Sequence, residues 1–170
     1  MNKIFETISG EVDEAMLQKF INIQKNQSDD TEITIFFESD WGNTSMGESI
    51  IHVINNTKNI TLIGQNEILS AGFDIFFFSK CKKKVNKVCT GMCHIWSFSV
   101  STNHYRRKGK ASGETLCKIK NVEELSIYIA KFYKKELWMS KKNVKAYLQD
   151  YDVYFSKKRL QKLIDFQNYK

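Results

Sequence analysis

Ile60-Thr61-Leu62-Ile63, followed by Leu69-Ser70-Ala71-Gly72-Phe73-Asp74-Ile75-Phe76-Phe77-Phe78, is the stretch that decides the fold. The first part is a short apolar run rich in β-branched residues, the pattern of a buried strand. The second is apolar from Phe73 to Phe78 and reads as a helix. Ser70 lies at the hand-over. A serine there has two readings. It is a residue favoured at helix N-caps. It is also well placed for a nucleophile, because a helix start offers unpaired N–H groups and the positive end of a dipole to an anionic intermediate. Twenty-four positions on, Gly91-Met92-Cys93-His94 supplies a histidine that could take the serine proton, although a lone histidine is more often a core residue with a satisfied hydrogen bond.

Outward from this stretch, strand and helix patterns alternate. Phe5–Ser9 reads as a strand, Asp13–Lys25 as a helix with Ala15, Met16, Phe20, Ile21 and Ile23 roughly on one face, and Glu32–Glu38 as a largely apolar strand. Ser39–Ser45 is a polar turn containing Gly42, and Met46–Ile54 is a helix. Asn59–Gly64 is a strand, Ala71–Cys81 the helix after Ser70, and Lys84–Cys89 and Met92–Val100 are strands, the second carrying His94. Val122–Leu137 is an amphipathic helix. Ser140 caps Lys141–Leu148, and Phe155-Ser156 leads into Lys157–Phe166. Strands alternating with helices imply an α/β fold with a mostly parallel sheet.

Composition bounds the function classes. A chain of 170 residues, 42% hydrophobic with 12 Phe, suits one globular domain with a real core. No run approaches the roughly 20 apolar residues that span a bilayer, and Met1-Asn2-Lys3-Ile4-Phe5-Glu6 lacks the apolar core of a secretory signal, so a cytoplasmic location without membrane association is expected. The four cysteines, Cys81, Cys89, Cys93 and Cys117, include no CxxC pair. Cys93 and His94 are adjacent, which is awkward for tetrahedral chelation, so no metal and no other cofactor is expected.

The net charge of +7 is unevenly spread. Residues 1–79 hold 4 Lys against 12 Asp/Glu, and residues 80–170 hold 22 Lys/Arg against 7 Asp/Glu. Lys80-Cys81-Lys82-Lys83-Lys84 and Arg106-Arg107-Lys108-Gly109-Lys110 admit a nucleic-acid reading, but no nucleic-acid motif accompanies them. A solvated lysine-rich surface is the plainer reading, and contact between acidic and basic faces of neighbouring subunits is a third.

The order of strand, glycine turn, helix, strand, serine turn, helix, strand and histidine resembles the proteolytic subunit of the ATP-dependent Clp protease, within the Clp/crotonase fold. The residues that carry the resemblance are Ile8-Ser9-Gly10-Glu11-Val12-Asp13, Ile33–Ser39 with Asp40-Trp41-Gly42, Gly47, Gly64–Gly72, Gly91-Met92-Cys93-His94, and Asp150-Tyr151-Asp152-Val153-Tyr154-Phe155-Ser156 with Leu160–Asp165. The match runs from about residue 6 to 166. It implies repeated strand-strand-helix units, a single domain with a head of about 1–100 and 150–170, and a protruding helical handle of about 101–149.

On this resemblance the chain is a serine peptidase that hydrolyses peptide bonds through an acyl-enzyme. Ser70 is the nucleophile, His94 the general base, and Asp152 the acid that orients the imidazole, with Asp150 as the alternative acid. The oxyanion hole is formed by the backbone N–H groups of Gly42 and Ala71. The substrate is a peptide or unfolded protein, the assembly a homo-oligomeric ring, and an ATP-dependent unfoldase the further partner. With the chain beginning almost at its first strand, the family's N-terminal loops that contact that unfoldase are expected to be missing. Trp41 stands where the family has the first glycine of its Gly-Gly pair, the preceding proline is absent, and Lys162 replaces the glycine of the terminal motif. These departures keep a second reading open, a catalytically degenerate Clp-fold scaffold or binding protein. A basic nucleic-acid-binding protein is a third. A crotonase-type acyl-CoA enzyme is a fourth, without a clear CoA signature.

Overall fold

Thr31–Ser39 shows how the sheet is built: its odd-numbered residues, Ile33, Ile35 and Phe37 among them, are buried, while the even-numbered ones face the other way. The computed structural model describes residues 2–94, 127, 130, 131, 134, 135, 140–148 and 152–168. In order along the chain, the elements are β1 (Asn2–Ser9), α1 (Glu14–Lys25), β2 (Thr31–Ser39), α2 (Thr44–Asn55), β3 (Ile60–Leu69), α3 (Ala71–Phe78), β4 (Lys82–Val85), β5 (Thr90–Cys93), α4 (Lys141–Leu148), β6 (Val153–Phe155) and α5 (Lys157–Asn168). Among the described residues, six strands form one sheet in the order β1-β2-β3-β5-β6, with β4 also on β3. Every pairing is parallel except β5 with β6. The mixed α/β class with a mostly parallel sheet is thus observed.

β3 reaches Leu69, five residues beyond its expected end at Gly64. Its first half pairs with β4 (Thr61↔Lys82 to Gly64↔Val85) and its second with β5 (Glu67↔Thr90 to Leu69↔Met92). The polar Gln65-Asn66-Glu67, beyond the expected strand, runs through a register jump, in which Phe37 pairs with Gly64 and Ser39 with Ile68. β1 starts at Asn2 rather than Phe5 and α2 at Thr44 rather than Met46, and three boundaries nearer Ser70 and His94 differ as well. α3 stops at Phe78 rather than Cys81, because the chain extends at Ser79 (φ −66°, ψ 138°). β4 is Lys82–Val85 rather than Lys84–Cys89. β5 is Thr90–Cys93, so His94 follows the strand instead of lying within it. Of the expected helix Val122–Leu137, residues 127, 130, 131, 134 and 135 are helical and the others lie outside the described residues. Ser140 caps α4 as expected, accepting from the Asn143 N–H at 3.3 Å.

The chain falls into two compact units, Met1–Cys93 with Val153–Lys170, and His94–Asp152. The core of the first is aromatic. Phe73 stacks on Phe155 at 5.1 Å and contacts Phe77 at 4.6 Å, with Phe76 against Phe77 at 5.3 Å. All four rings are buried. Phe73→Ala is expected to cost about 3–5 kcal/mol, as buried aromatic truncations do, read as a lower urea midpoint with an unchanged slope.

Burial also sets the thiol chemistry. Loss of hydration pushes Cys89 up from 9.0 to about 12, and the nearby Glu38 charge adds to it. Cys81 goes up to about 11 for the same first reason, opposed by the Lys83 ammonium and a backbone hydrogen bond from Leu62. Lys83 is buried and pushed down by lost hydration, opposed by Cys81, while its Nζ caps the end of α3 by donating to the Ser79 carbonyl at 2.6 Å. Above pH 9 an unfolded thiol has lost its proton while the folded one keeps it, so the folded state binds more protons and stability falls as pH rises. Lys83 acts in the opposite sense. Between its lowered value and 10.5 the unfolded chain binds the extra proton, so its contribution improves with pH. With two thiols against one lysine, the urea midpoint should decline between pH 9 and 11, and Cys89→Ala should flatten that decline. An equal decline in the variant would remove Cys89 as its source.

Candidate active site

Ser70 occupies the single-residue turn between β3 and α3, with φ 52° and ψ −123°. That combination lies outside the left-handed helical well that Asn or Asp visits and is costly for a residue with a Cβ, of order 1–3 kcal/mol. At the N-cap position of α3, its side chain makes no capping hydrogen bond. Ser70 thus lacks the geometry of an N-cap, whose backbone is extended and whose side chain accepts from the first turn, as Asp13 shows when its Oδ1 accepts from the Met16 N–H at 2.8 Å. The turn is held from outside. The Ser70 N–H donates to the Met92 carbonyl of β5 at 2.9 Å, and the Asp74 N–H donates back to the Ser70 carbonyl at 3.2 Å. Ala71 follows as the first residue of α3, where helix geometry leaves N–H groups without an intrahelical acceptor.

Gly42 lies in the turn after β2, the strand beside β3. Its φ of 144° favours glycine, and a Cβ there would sit 2.5 Å from the Val12 Cβ and 2.6 Å from its Cα. Val12 and Gly42 form an isolated parallel bridge in which the Val12 N–H donates to the Trp41 carbonyl at 2.9 Å and the Asn43 N–H to the Val12 carbonyl at 2.7 Å. That pattern leaves the Gly42 N–H outside the bridge. Asn43 then caps α2 through its Oδ1, which accepts from the Ser45 and Met46 N–H groups. The two turns are tied together at Gly72, where a Cβ would come 2.6 Å from the Ser39 Cβ. The start of α3 therefore packs directly on the end of β2. Gly42, Ser70 and Ala71 all lie at the carboxyl edge of the parallel strands, the edge at which open α/β sheets hold their ligands.

The remaining candidates sit at the junctions of the two units. His94, half-buried, is the residue directly after Cys93 of β5, and the exposed Asp152 is the residue directly before Val153 of β6. Their chain neighbours Cys93 and Val153 are paired across the sheet. Asp150 and His104 lie outside the described residues, as do Arg106–Lys110 and Cys117. His52 is exposed on α2, where its carbonyl accepts from the Asn56 side chain at 2.8 Å. The protonated, half-buried Cys81 and buried Cys89 are unsuited to nucleophilic attack at neutral pH. Among the described residues, no group of three or more His, Cys, Asp or Glu could hold a metal ion, and no helix is long and apolar enough to cross a membrane.

Two residues of this edge escaped the sequence reading. Ser39 is fully buried, contacts Gly72, and donates from its hydroxyl to the Trp41 carbonyl at 3.3 Å, which steadies the glycine turn. Asp74 is buried within the first turn of α3. The only sequence signal for it is one carboxylate inside an otherwise apolar run.

No family model and no curated protein matches the sequence. Solved structures do. A point mutant of ClpP1 from Listeria monocytogenes superposes with a TM-score of 0.68 at 17% identity, over 94% of this chain and 86% of that one. The chain therefore has a ClpP-like fold.

Proposed function

We propose that this protein is a Clp-type serine peptidase. The observation that carries the reading is the backbone of Ser70: a strained, non-capping serine at the strand-to-helix turn of a ClpP-like fold. Natural chains retain such conformations where the surrounding structure over-determines them, and these cluster at functional sites.

In the proposed reaction, His94 accepts the Ser70 hydroxyl proton as the oxygen attacks the substrate carbonyl. The N–H groups of Gly42 and Ala71 donate to the resulting oxyanion. His94 then passes the proton to the leaving amine, which departs as the acyl-enzyme forms, and water reverses these steps to release the acid and free Ser70. Asp152 orients the imidazole and stabilises its charged form, with Asp150 as the alternative in that role. The pairing of Cys93 with Val153 supports Asp152, since it brings the backbones next to His94 and Asp152 side by side. The substrate is a peptide or unfolded protein, and the active particle a homo-oligomeric ring of six or seven subunits or a double ring.

A fluorophosphonate probe tests the nucleophile directly. The full chain should be labelled covalently, and Ser70→Ala should not. Absence of labelling in folded wild-type protein would overturn the reading. Light scattering tests the assembly, which should weigh six or seven times, or twice that for a double ring, the 19.9 kDa chain.

A further inference from the structure

The lysine cluster noted in the sequence lies at the opposite edge of the first unit's sheet from Ser70, and the peptidase reading does not use it. Here the starts of β2, β3 and β4 border a cavity of about 440 Å³. Six of its lining side chains matter to its chemistry: Lys80, Lys82, Lys84, Thr34, Thr61 and Glu32. Strand alternation puts them together. Lys82 and Lys84 are exposed while Lys83 between them is buried, so the first two share one face of β4, roughly 6.6 Å apart along the strand. The register then sets Thr34 beside Thr61 and Thr61 beside Lys82 in one row across three strands.

Three lysines therefore line one cavity against a single acidic residue. That carboxylate is engaged elsewhere, since Glu32 pairs with Lys3 at 3.8 Å. Among the described residues, none of the three lysines makes an ion pair. Like charges gathered on one wall repel one another, and an anion in the cavity reverses the sign of that interaction. The two threonine hydroxyls can donate to anionic oxygens while the lysines supply charge. The volume falls within the range of small-molecule sites, well above what a single phosphate fills.

We infer that this cavity is a binding site for a small molecule carrying two or three linked phosphates. The site stands apart from Ser70 and does not depend on the proposed peptidase activity.

Calorimetric titration of the full chain with inorganic tripolyphosphate in low salt tests it. One saturable site per chain is expected, weakening as salt rises. Lys82→Ala and Lys84→Ala should each weaken binding about tenfold. Thr61→Val should weaken it severalfold at unchanged charge. Lys87→Ala, which removes an exposed lysine outside the cavity, and Ser70→Ala should bind as the wild type does. No binding at low salt would overturn the inference. So would equal losses from Lys87→Ala and Lys82→Ala, which would indicate general charge attraction. Affinity that grows with the length of a single-stranded oligonucleotide and ignores Thr61→Val would overturn it in favour of an extended nucleic-acid surface.

Discussion

On the proposed peptidase reading, Ser70→Ala should lower peptide hydrolysis by about 10⁴–10⁶-fold, the range seen when the nucleophile of a triad is removed, and should leave the unfolding midpoint close to that of the wild type. The second half of this result separates a nucleophile from a cap. A serine that capped α3 would lose about 0.5–2 kcal/mol on truncation to alanine. Ser70 makes no such bond, and alanine keeps the Cβ that is strained at φ 52°. Ser70→Gly completes the test. Glycine adopts positive φ without that penalty, so this variant should be as inactive as Ser70→Ala but more stable by about 1 kcal/mol, the strain relieved being partly offset by the greater freedom of an unfolded glycine. Denaturant melts of the three proteins beside initial rates on a fluorogenic peptide give both readouts. A stability loss in Ser70→Ala, with hydrolysis retained, would return the residue to a structural role.

Periodicity in the sequence was enough for the elements whose packing is one-sided. α1 and α2 show their apolar stripes and β2 its apolar run, because in each the buried side chains recur at the spacing of the element, and α4 shows its cap at Ser140. β3 and β5 were mis-bounded for a different reason. Gln65-Asn66-Glu67 is polar yet belongs to β3, held there partly by the pairing of Glu67 with Thr90, a contact between residues far apart in sequence. Lys82–Val85 looks like solvated charge, but Lys83 is turned inward to cap α3, and no local pattern announces a buried lysine. The candidate site divides along the same line. Gly42 and Ser70 are legible as a glycine turn and a strand-to-helix serine. The features that give them chemical meaning, the sign of φ at Ser70 and the approach of Gly72 to Ser39, arise from tertiary packing. His94 and Asp152 are 58 positions apart in the chain. Only the antiparallel pairing of β5 with β6 makes their immediate neighbours adjacent.

Gly42→Ala should be the most damaging single-methyl substitution at this edge. Its φ of 144° is strained for alanine, and the added Cβ would lie 2.5 Å from the Val12 Cβ, a separation that folded chains do not tolerate. Two neighbouring segments must move apart, and the bridge between Val12 and Gly42 is what holds them in register. The cost is expected to be about 2–4 kcal/mol of stability. The fraction that folds should also lose about 10²–10³ in turnover, because the Gly42 N–H is the proposed oxyanion donor and shifts with the turn. That loss should fall on kcat with KM little changed, since the donor acts on charge that develops only in the transition state. Gly47→Ala is the matched control. It lies five residues on, within α2, where a Cβ meets Ile75 at an ordinary 3.7 Å. Alanine is also the better helix former, so that variant should keep full turnover and gain slightly in stability. Full kcat in Gly42→Ala, measured where the variant is still folded by circular dichroism, would rule out the oxyanion role for this glycine while leaving Ser70 to be judged on its own labelling.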